Sequence, residues 1–178
     1  MPTPKNLIPD GTTAKVKLSI LPGGYNDPSQ GWTEGFATRA RSGSIYLNVE
    51  CLLVEGVHAG KKFNSIVGLK SPKGPWWRKK GRNLIISILN SSSGFPVNDY
   101  SENALHARRL KSLKMLNGMQ FSARIKVIKD KNDYIVNEID EVIVPSSLDH
   151  SDATPRLRQR ELTSNLNKAE AGPMWMQG

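Results

Sequence analysis

The chain lacks residues on which several classes of protein depend. It has a single cysteine, Cys51, so neither an intramolecular disulfide nor a multi-cysteine zinc site can form. No segment approaches the roughly 18 consecutive apolar residues that indicate a membrane-spanning helix. The N-terminus, M-P-T-P-K-N-L-I-P-D-G, has no apolar stretch of signal-peptide length. We therefore expect a cytoplasmic protein in which Cys51 is a small buried hydrophobic residue.

Apolar residues are also scarce, at 38% of the 178 positions, so one compact core is expected together with some polar, unpacked sequence. Residues 1–11 carry three prolines and predict an extended N-terminal arm. Residues 12–145 hold the alternating and periodic patterns of a folded domain. Residues 146–178 are polar until Met174-Trp175-Met176 and predict a flexible tail, with a short helix around Arg156–Lys168 as an alternative.

Acidic residues are few and unevenly placed. The net charge is +9, and all of it falls in residues 1–145, because residues 146–178 contain four basic and four acidic residues. Residues 61–82 contain eight lysines and arginines and no acid. A concentrated basic segment is typical of proteins that bind polyanions, above all nucleic acids.

Groups with the spacing of a catalytic or metal site are missing. The three histidines, His58, His106 and His150, have no cysteine or carboxylate partners at metal-ligand spacing. Glu138, Asp140 and Glu141 resemble a nuclease cluster, but strand alternation puts Glu141 on the opposite face from the other two, so a solvated strand face is favoured. No Walker or Rossmann fingerprint occurs. We expect no enzyme activity and no cofactor.

Five segments predict strands. Thr12–Leu21 alternates apolar and polar residues, and the stretch from Ser44 to Glu55 is the strongest strand pattern. The segment from Lys62 to Lys70 predicts its hairpin partner across a turn with two glycines. Residues 119–129 and 134–144 predict a second hairpin. Between the first two strands, residues 22–44 form a long glycine-rich connection, and a loop of that length usually has structure or a function of its own.

Two helices are predicted. From Pro75 onward, Trp77, Gly81, Leu84, Ile85, Ile88 and Leu89 fall on one helical face, and Trp76 falls off it. Trp77 is therefore expected in the core. A second helix is expected from about Asp99 to Leu116, with Asp99 and Glu102 at the spacing of a capping box.

The order strand, strand, strand, helix, strand, strand is that of a mainly β protein with an OB-like core. In that fold five strands form a Greek-key barrel, and the helix between the third and fourth strands covers one end. A β-sandwich, and an α+β sheet with both helices on one side, are the alternatives.

A resemblance supports the barrel. The runs G-W-T-E-G-F-A-T-R-A-R-S-G-S-I-Y-L-N-V-E-C, G-K-K-F-N-S-I-V-G-L-K-S-P-K-G-P-W-W-R-K-K-G-R and L-N-G-M-Q-F-S-A-R-I-K-V-I resemble small proteins of phages and integrative elements. These are regarded as single-stranded-DNA-binding or replication-accessory proteins with an OB-like core. The resemblance covers roughly residues 30–145 and implies a function in DNA replication or recombination of a mobile element. The end G-P-M-W-M-Q-G differs from the acidic tip with a terminal Phe of the familiar bacterial single-stranded-DNA-binding proteins.

The binding site of an OB barrel is usually the face of strands two and three with the flanking loops, where bases stack on aromatic side chains and basic groups follow the backbone. Mapped onto this chain, the candidate nucleic-acid-binding residues are Trp32, Phe36, Arg39, Arg41, Tyr46, Lys61, Lys62, Lys70, Lys73, Trp76, Lys129 and Lys131. For Trp32 and Phe36, the alternative is that both side chains fold back onto the core.

The expected partner is single-stranded DNA, with RNA as an alternative, bound largely independently of sequence. Homo-oligomerisation is left open, as is recruitment of a replication or recombination protein through the tail. Two other hypotheses remain: a non-enzymatic protein-interaction module anchored by its aromatic residues, and a binder of double-stranded nucleic acid.

Overall fold

The fold consists of antiparallel strands with one long helix inserted before the last two. The computed structural model describes residues 5–146. The strands in this part are β1 (Thr12–Leu21), β2 (Tyr25–Asp27), β3 (Trp32–Arg39), β4 (Ile45–Leu53), β5 (Lys62–Lys70), β6 (Gln120–Lys129) and β7 (Ile135–Ile143). The helices are α1 (Trp76–Ser93) and α2 (Glu102–Ala107), with 3-10 turns at Pro28–Gln30 and Leu113–Leu116. The predicted tail, including Met174-Trp175-Met176, lies outside the described residues.

β4 is the central strand of the sheet. One of its edges pairs with β5, and the other pairs with β1 and then, at its first two residues, with β3. The sheet continues from β1 to β6 and β7, while β2 adds to β3. The order is β2-β3-β4-β1-β6-β7, with β5 on the remaining edge of β4. This confirms the mainly β, antiparallel class. Within residues 5–146, no helix combines the length and apolar character needed to cross a membrane.

The closed barrel is not found, because the sheet is open between β5 and β7. Within the described residues these two strands approach to within 8 Å between Cα atoms but form no hydrogen-bonded ladder. Two other segments occupy the gap. The N-terminal arm lies at the end where β7 begins, and α1 covers the other end by packing against β5, β6 and β7.

Strand alternation supplies the core, as expected. Ile45, Leu47, Val49, Cys51 and Leu53 of β4 are all buried, and the intervening residues are half-exposed. They lie opposite the buried residues of β1, with Leu18 beside Cys51 and Ile20 beside Val49. Burial of each such aliphatic side chain stabilises the fold by roughly 1.5–3 kcal/mol, which fixes the register of the sheet.

The first predicted helix is confirmed as α1. It begins directly after Pro75 and ends at Gly94, which adopts the left-handed conformation typical of a helix C-terminus. Ile85, Ile88 and Leu89 are buried in the core. Gly81 contacts the backbone of Gly68 in β5, and a Cβ at Gly81 would overlap the Gly68 carbonyl oxygen. A side chain at this position would hold α1 away from the sheet.

The long connection between the first two predicted strands has structure of its own. Residues 25–39 form the β2–β3 hairpin, whose irregular pairing is held by the Gly35 N–H donating to the Asn26 side-chain oxygen at 2.7 Å. Glu34 and Gly35 both have positive φ. The hairpin places Trp32 over the core.

The second predicted helix is wrong in its extent. Only Glu102–Ala107 is α-helical, and its cap is Ser101, whose hydroxyl accepts from the Ala104 N–H at 3.3 Å. The Asp99 carboxylate instead accepts from the Ser101 N–H at 2.9 Å. The helix ends at Arg108, which is buried and donates to Asn90 Oδ1 at 2.6 Å and to the Pro96 carbonyl at 2.7 Å. Burial lowers the pKa of Arg108.

The described part of the N-terminal arm joins the core. Ile8 is fully buried. Its backbone N–H donates to Asn137 Oδ1 at 2.9 Å, and its carbonyl accepts from Asn137 Nδ2 at 2.8 Å. The amide side chain of Asn137 therefore pairs with Ile8 as a neighbouring strand would, and it ties the arm to β7.

Candidate nucleic-acid interface

Two turns meet at the end of the sheet where β4 begins. Ile45 pairs with Arg39 of β3 on one side and with Lys70 of β5 on the other, so the β3–β4 turn and the β5–α1 turn flank the same residue. A Cβ built on Gly43 would lie 3.9 Å from Cγ of Pro72, which shows that the two turns are in contact range.

The exposed groups around these turns form what we call the basic turn surface. Its members are Arg39, Arg41, Lys70, Lys73, Trp76 and Lys80. Neither residues 35–49 nor residues 61–82 include an acidic side chain. Because no carboxylate of these segments neutralises the cations, the surface attracts polyanions.

Trp76 is the exposed aromatic residue of this surface. It follows Pro75 at the start of α1, and 70% of its area is accessible. The Lys80 ammonium, one helical turn later, lies over the indole ring at 5.3 Å from its centroid. Residues four apart on a helix share a face, which produces this cation–π contact. A large, flat side chain beside a positive charge is suited to stack a base and hold its phosphate.

Arg39 forms a second such contact. Its guanidinium carbon lies 5.9 Å from the centroid of the Tyr25 ring, across the β2–β3 hairpin. Tyr25 is half-buried and packs against the core. The hairpin therefore orients Arg39 while leaving the guanidinium group exposed to solvent.

Tyr46 lies on the outer face of β4, as predicted. It is half-buried, and its ring centroid is 6.3 Å from that of Trp77. The indole of Trp77 covers Gly68 of β5, the register partner of Tyr46. Trp77 is thus not within the buried core that the helical stripe predicted. The two rings form an aromatic pair beside the basic turn surface.

Trp32 is not available for stacking in this structure, and Phe36 is only partly exposed. Only 1% of Trp32 is accessible, and the ring belongs to the central hydrophobic cluster. Phe36 is partly buried and packs against the same cluster. For Trp32 the assignment to base contacts is therefore corrected, because the β2–β3 hairpin folds its ring onto the core, where burial of an aromatic ring is favourable. For Phe36 the assignment stays a prediction.

The other four predicted lysines lie at the opposite end of the sheet, and for Lys61 and Lys62 the separation is the length of β4, roughly 26 Å. Lys61 donates to the Leu7 carbonyl at 3.2 Å, and Lys62 pairs with Glu50 at 3.0 Å. Lys129 and Lys131 are exposed at the β6–β7 turn. The structure therefore divides the predicted site into two groups, and the one that includes an exposed tryptophan is the basic turn surface.

The outer face of the β6–β7 hairpin is neutralised by ion pairs. Arg124 contacts Asp140 at 2.8 Å and Glu141 at 2.7 Å, while Lys126 lies 3.4 Å from Glu138. The register shifts opposite Arg124–Ile125, so Asp140 and Glu141 both reach Arg124. This bulge corrects the expectation that Glu141 faces away from the other two carboxylates. Hydrogen bonding to Asp140, with the charge of Glu141, raises the pKa of Arg124.

Lys80 and Tyr25 are not among the candidate residues that the sequence predicts, although Lys80 belongs to the basic segment 61–82. The contact of Lys80 with Trp76 can be predicted from the sequence, because residues four apart on a helix lie on the same face. Tyr25 carried no such signal, since its contact with Arg39 depends on how an irregular hairpin folds back.

No protein-family model matches this chain, and neither the curated proteins nor the solved structures include a significant match.

Proposed function

We propose that this protein binds single-stranded DNA, largely independently of sequence, through the basic turn surface. The observation that carries the proposal is the exposed ring of Trp76 with the Lys80 ammonium over it. The four other members of the surface are exposed cations, and neither of the two segments contains an acidic residue. Stacking of a base on an aromatic side chain contributes roughly 1–3 kcal/mol and does not depend on base identity.

The strand order supports an OB-like core. Read across the sheet from β5, it runs β5-β4-β1-β6-β7, with α1 between the third and fourth of these strands in the chain. This is the order of the five-stranded Greek-key barrel, with β2 and β3 as an insertion after the first strand. Of the loops that flank the binding face of such barrels, the one joining strands one and two contributes Arg39 and Arg41 to the basic turn surface.

A single strand is the better ligand for this surface than a duplex. The bases of a single strand are unpaired and can stack on Trp76, whereas those of a duplex are stacked on each other. A duplex would be held by phosphate contacts alone, which need cations but no exposed aromatic ring. The resemblance to proteins of phages and integrative elements implies that this binding serves replication or recombination of a mobile element.

The experiment compares two charge-reversed variants for binding of a fluorescein-labelled oligo-dT by fluorescence anisotropy. One carries Arg41→Glu and Lys73→Glu in the basic turn surface. The matched control carries Lys129→Glu and Lys131→Glu at the opposite end, so the two variants have the same net charge. All four side chains are exposed, so both variants are expected to fold.

The first variant is expected to lose at least about tenfold in affinity, because two phosphate contacts are lost and two repulsions gained. The control is expected to lose clearly less. Equal loss in both would assign binding to net charge alone. Absence of oligo-dT binding by the wild type at low salt would reject the function.

A further inference from the structure

The opening between β5 and β7 contains a cleft that the basic turn surface does not include. It has a volume of about 410 Å³ and lies between β5, α1 and β7. This volume is in the range of small-molecule sites. The cleft exists because β5 and β7 form no ladder and α1 covers only part of the gap between them.

The walls of the cleft combine apolar and charged groups. Trp77, Ile66 and Leu84 provide apolar surface, and Ile66 is 53% exposed although its side chain is aliphatic. Glu138, Asp140 and Glu141 of β7 line the other side, together with Lys126 of β6. A flat aromatic ligand with a polar edge fits such a site better than an aliphatic one, since its faces can contact the indole and its edge the carboxylates.

Lys80 connects the cleft to the basic turn surface. Its ammonium lies over Trp76, and the same residue lines the cleft beside Trp77. A base stacked on Trp76 would therefore lie next to a residue that borders the cleft.

The carboxylates determine which base edge is accepted. An ionised carboxylate only accepts hydrogen bonds. Asp140 is engaged with Arg124 at 2.8 Å, whereas the contact of Glu138 is the longer one to Lys126 at 3.4 Å. Glu138 is thus the carboxylate of this wall that Arg124 does not engage, and beside its contact with Lys126 it has further lone pairs that can accept hydrogen bonds. Guanine presents two adjacent donors, N1–H and the N2 amino group, to a carboxylate. Thymine presents one N–H between two carbonyls, which a carboxylate repels.

We propose that this cleft holds one base of a bound strand and prefers guanine, with Glu138 accepting from N1–H and the N2 amino group. The inference rests on the proposed function, because the strand delivers the base. It makes a largely sequence-independent binder selective at one position.

The test uses three dodecamers that differ at one central position of oligo-dT: all thymine, one deoxyguanosine, or one deoxyinosine, which keeps N1–H but lacks the N2 amino group. Affinities are measured by fluorescence anisotropy at one salt concentration. Wild type is expected to bind the guanine oligomer about 5- to 150-fold more tightly than oligo-dT, as for a good bidentate contact. Inosine is expected to lose most of that preference.

Glu138→Gln tests the contact itself. The amide has a single acceptor atom and places an N–H donor against one of the guanine donors, so the preference should disappear while oligo-dT affinity stays within about twofold. Glu55→Gln is the matched control, since Glu55 is exposed in the β4–β5 turn and lies outside the cleft lining. It should keep the preference.

The outcomes separate the two proposals. Binding of all three oligomers with equal affinity would overturn the guanine site and leave single-strand binding intact. A guanine preference that survives Glu138→Gln would also overturn it. Failure of every oligomer to bind would overturn the proposed function and, with it, this inference.

Discussion

Gly81 of α1 packs directly on the backbone of Gly68 of β5, with no room for a side chain at either position. A Cβ at Gly81 would overlap the Gly68 carbonyl oxygen, and one at Gly68 would meet the Trp77 ring at 2.6 Å. This pair of glycines brings the first turns of α1 onto the sheet beside Tyr46. It therefore positions both the exposed Trp76 and the Trp77 wall of the cleft.

Gly81→Ala is expected to destabilise the protein. Overpacking costs roughly 1–3 kcal/mol, and the higher helix propensity of alanine offsets up to about 1 kcal/mol of that. A net loss of about 1–2 kcal/mol in the free energy of urea unfolding should result. Asn83→Ala, at an exposed position of the same helix, gains propensity without a clash and should not destabilise. A Gly81→Ala variant as stable as wild type would contradict the close contact.

Trp76→Ala should weaken binding of oligo-dT by about 5- to 150-fold, the equivalent of one lost stacking contact of roughly 1–3 kcal/mol. Stability should barely change, because 70% of the side chain is exposed. Tyr134→Ala is the matched control, since Tyr134 is an aromatic residue of similar exposure, 66%, at the opposite end of the sheet. The reverse pattern, with Tyr134 critical and Trp76 dispensable, would move the site to the β6–β7 turn.

Asn137→Ala should release the N-terminal arm. The substitution leaves the N–H and the carbonyl of fully buried Ile8 without the partners that they have now. Each unsatisfied buried group costs about 1–3 kcal/mol, so a loss of at least about 2 kcal/mol in unfolding free energy is expected. Asn132→Ala, in an exposed turn, should stay within about 0.5 kcal/mol of wild type. Equal effects of the two variants would argue against the strand-like role of Asn137.

Cys51 is expected to lower the free energy of unfolding at alkaline pH. Desolvation by burial, with a smaller effect of Glu50, raises the pKa of this thiol from 9.0 to about 12. Because the folded-state pKa is the higher one, its contribution is complete below pH 9 and is lost as pH rises toward 12. From pH 7 to pH 10 the loss is roughly 1 kcal/mol.

Other groups also titrate in that range, so the measurement is the difference between wild type and Cys51→Ala in unfolding free energy at pH 7 and at pH 10. The advantage of wild type should shrink by roughly 1 kcal/mol. A difference that stays constant would mean that the thiol is accessible to water in the folded protein.

Local patterns predicted most of the fold. In β1, β4 and α1, most apolar residues face the core and most polar residues face solvent. The spacing of apolar residues in the sequence therefore predicts these elements directly. The closure of the barrel was not predictable in this way. Whether β5 pairs with β7 depends on the arm, held by Asn137, and on the approach of α1 through Gly81 and Gly68.

The site was predictable only in part, because exposure is a tertiary property. Trp32 precedes a basic, glycine-containing segment and Trp76 lies within another, so their sequence surroundings are alike. The β2–β3 hairpin nevertheless buries Trp32, whereas Trp76 at the start of α1 is exposed. Similarly, the stop of α2 at Arg108 depends on acceptors supplied by Asn90 and Pro96. The bulge that turns Glu141 toward Arg124 cannot be predicted from the alternation of apolar and polar residues in β7.

The most direct test is a titration of the wild-type protein with a single-stranded oligonucleotide and with the corresponding duplex, each at two salt concentrations. We expect the single strand to bind more tightly, with quenching of tryptophan fluorescence, and its affinity to fall steeply with salt as counterions are released. Equal or tighter binding of the duplex without quenching, or an affinity for the single strand that salt does not change, would contradict the assignment of the basic turn surface to single-stranded DNA.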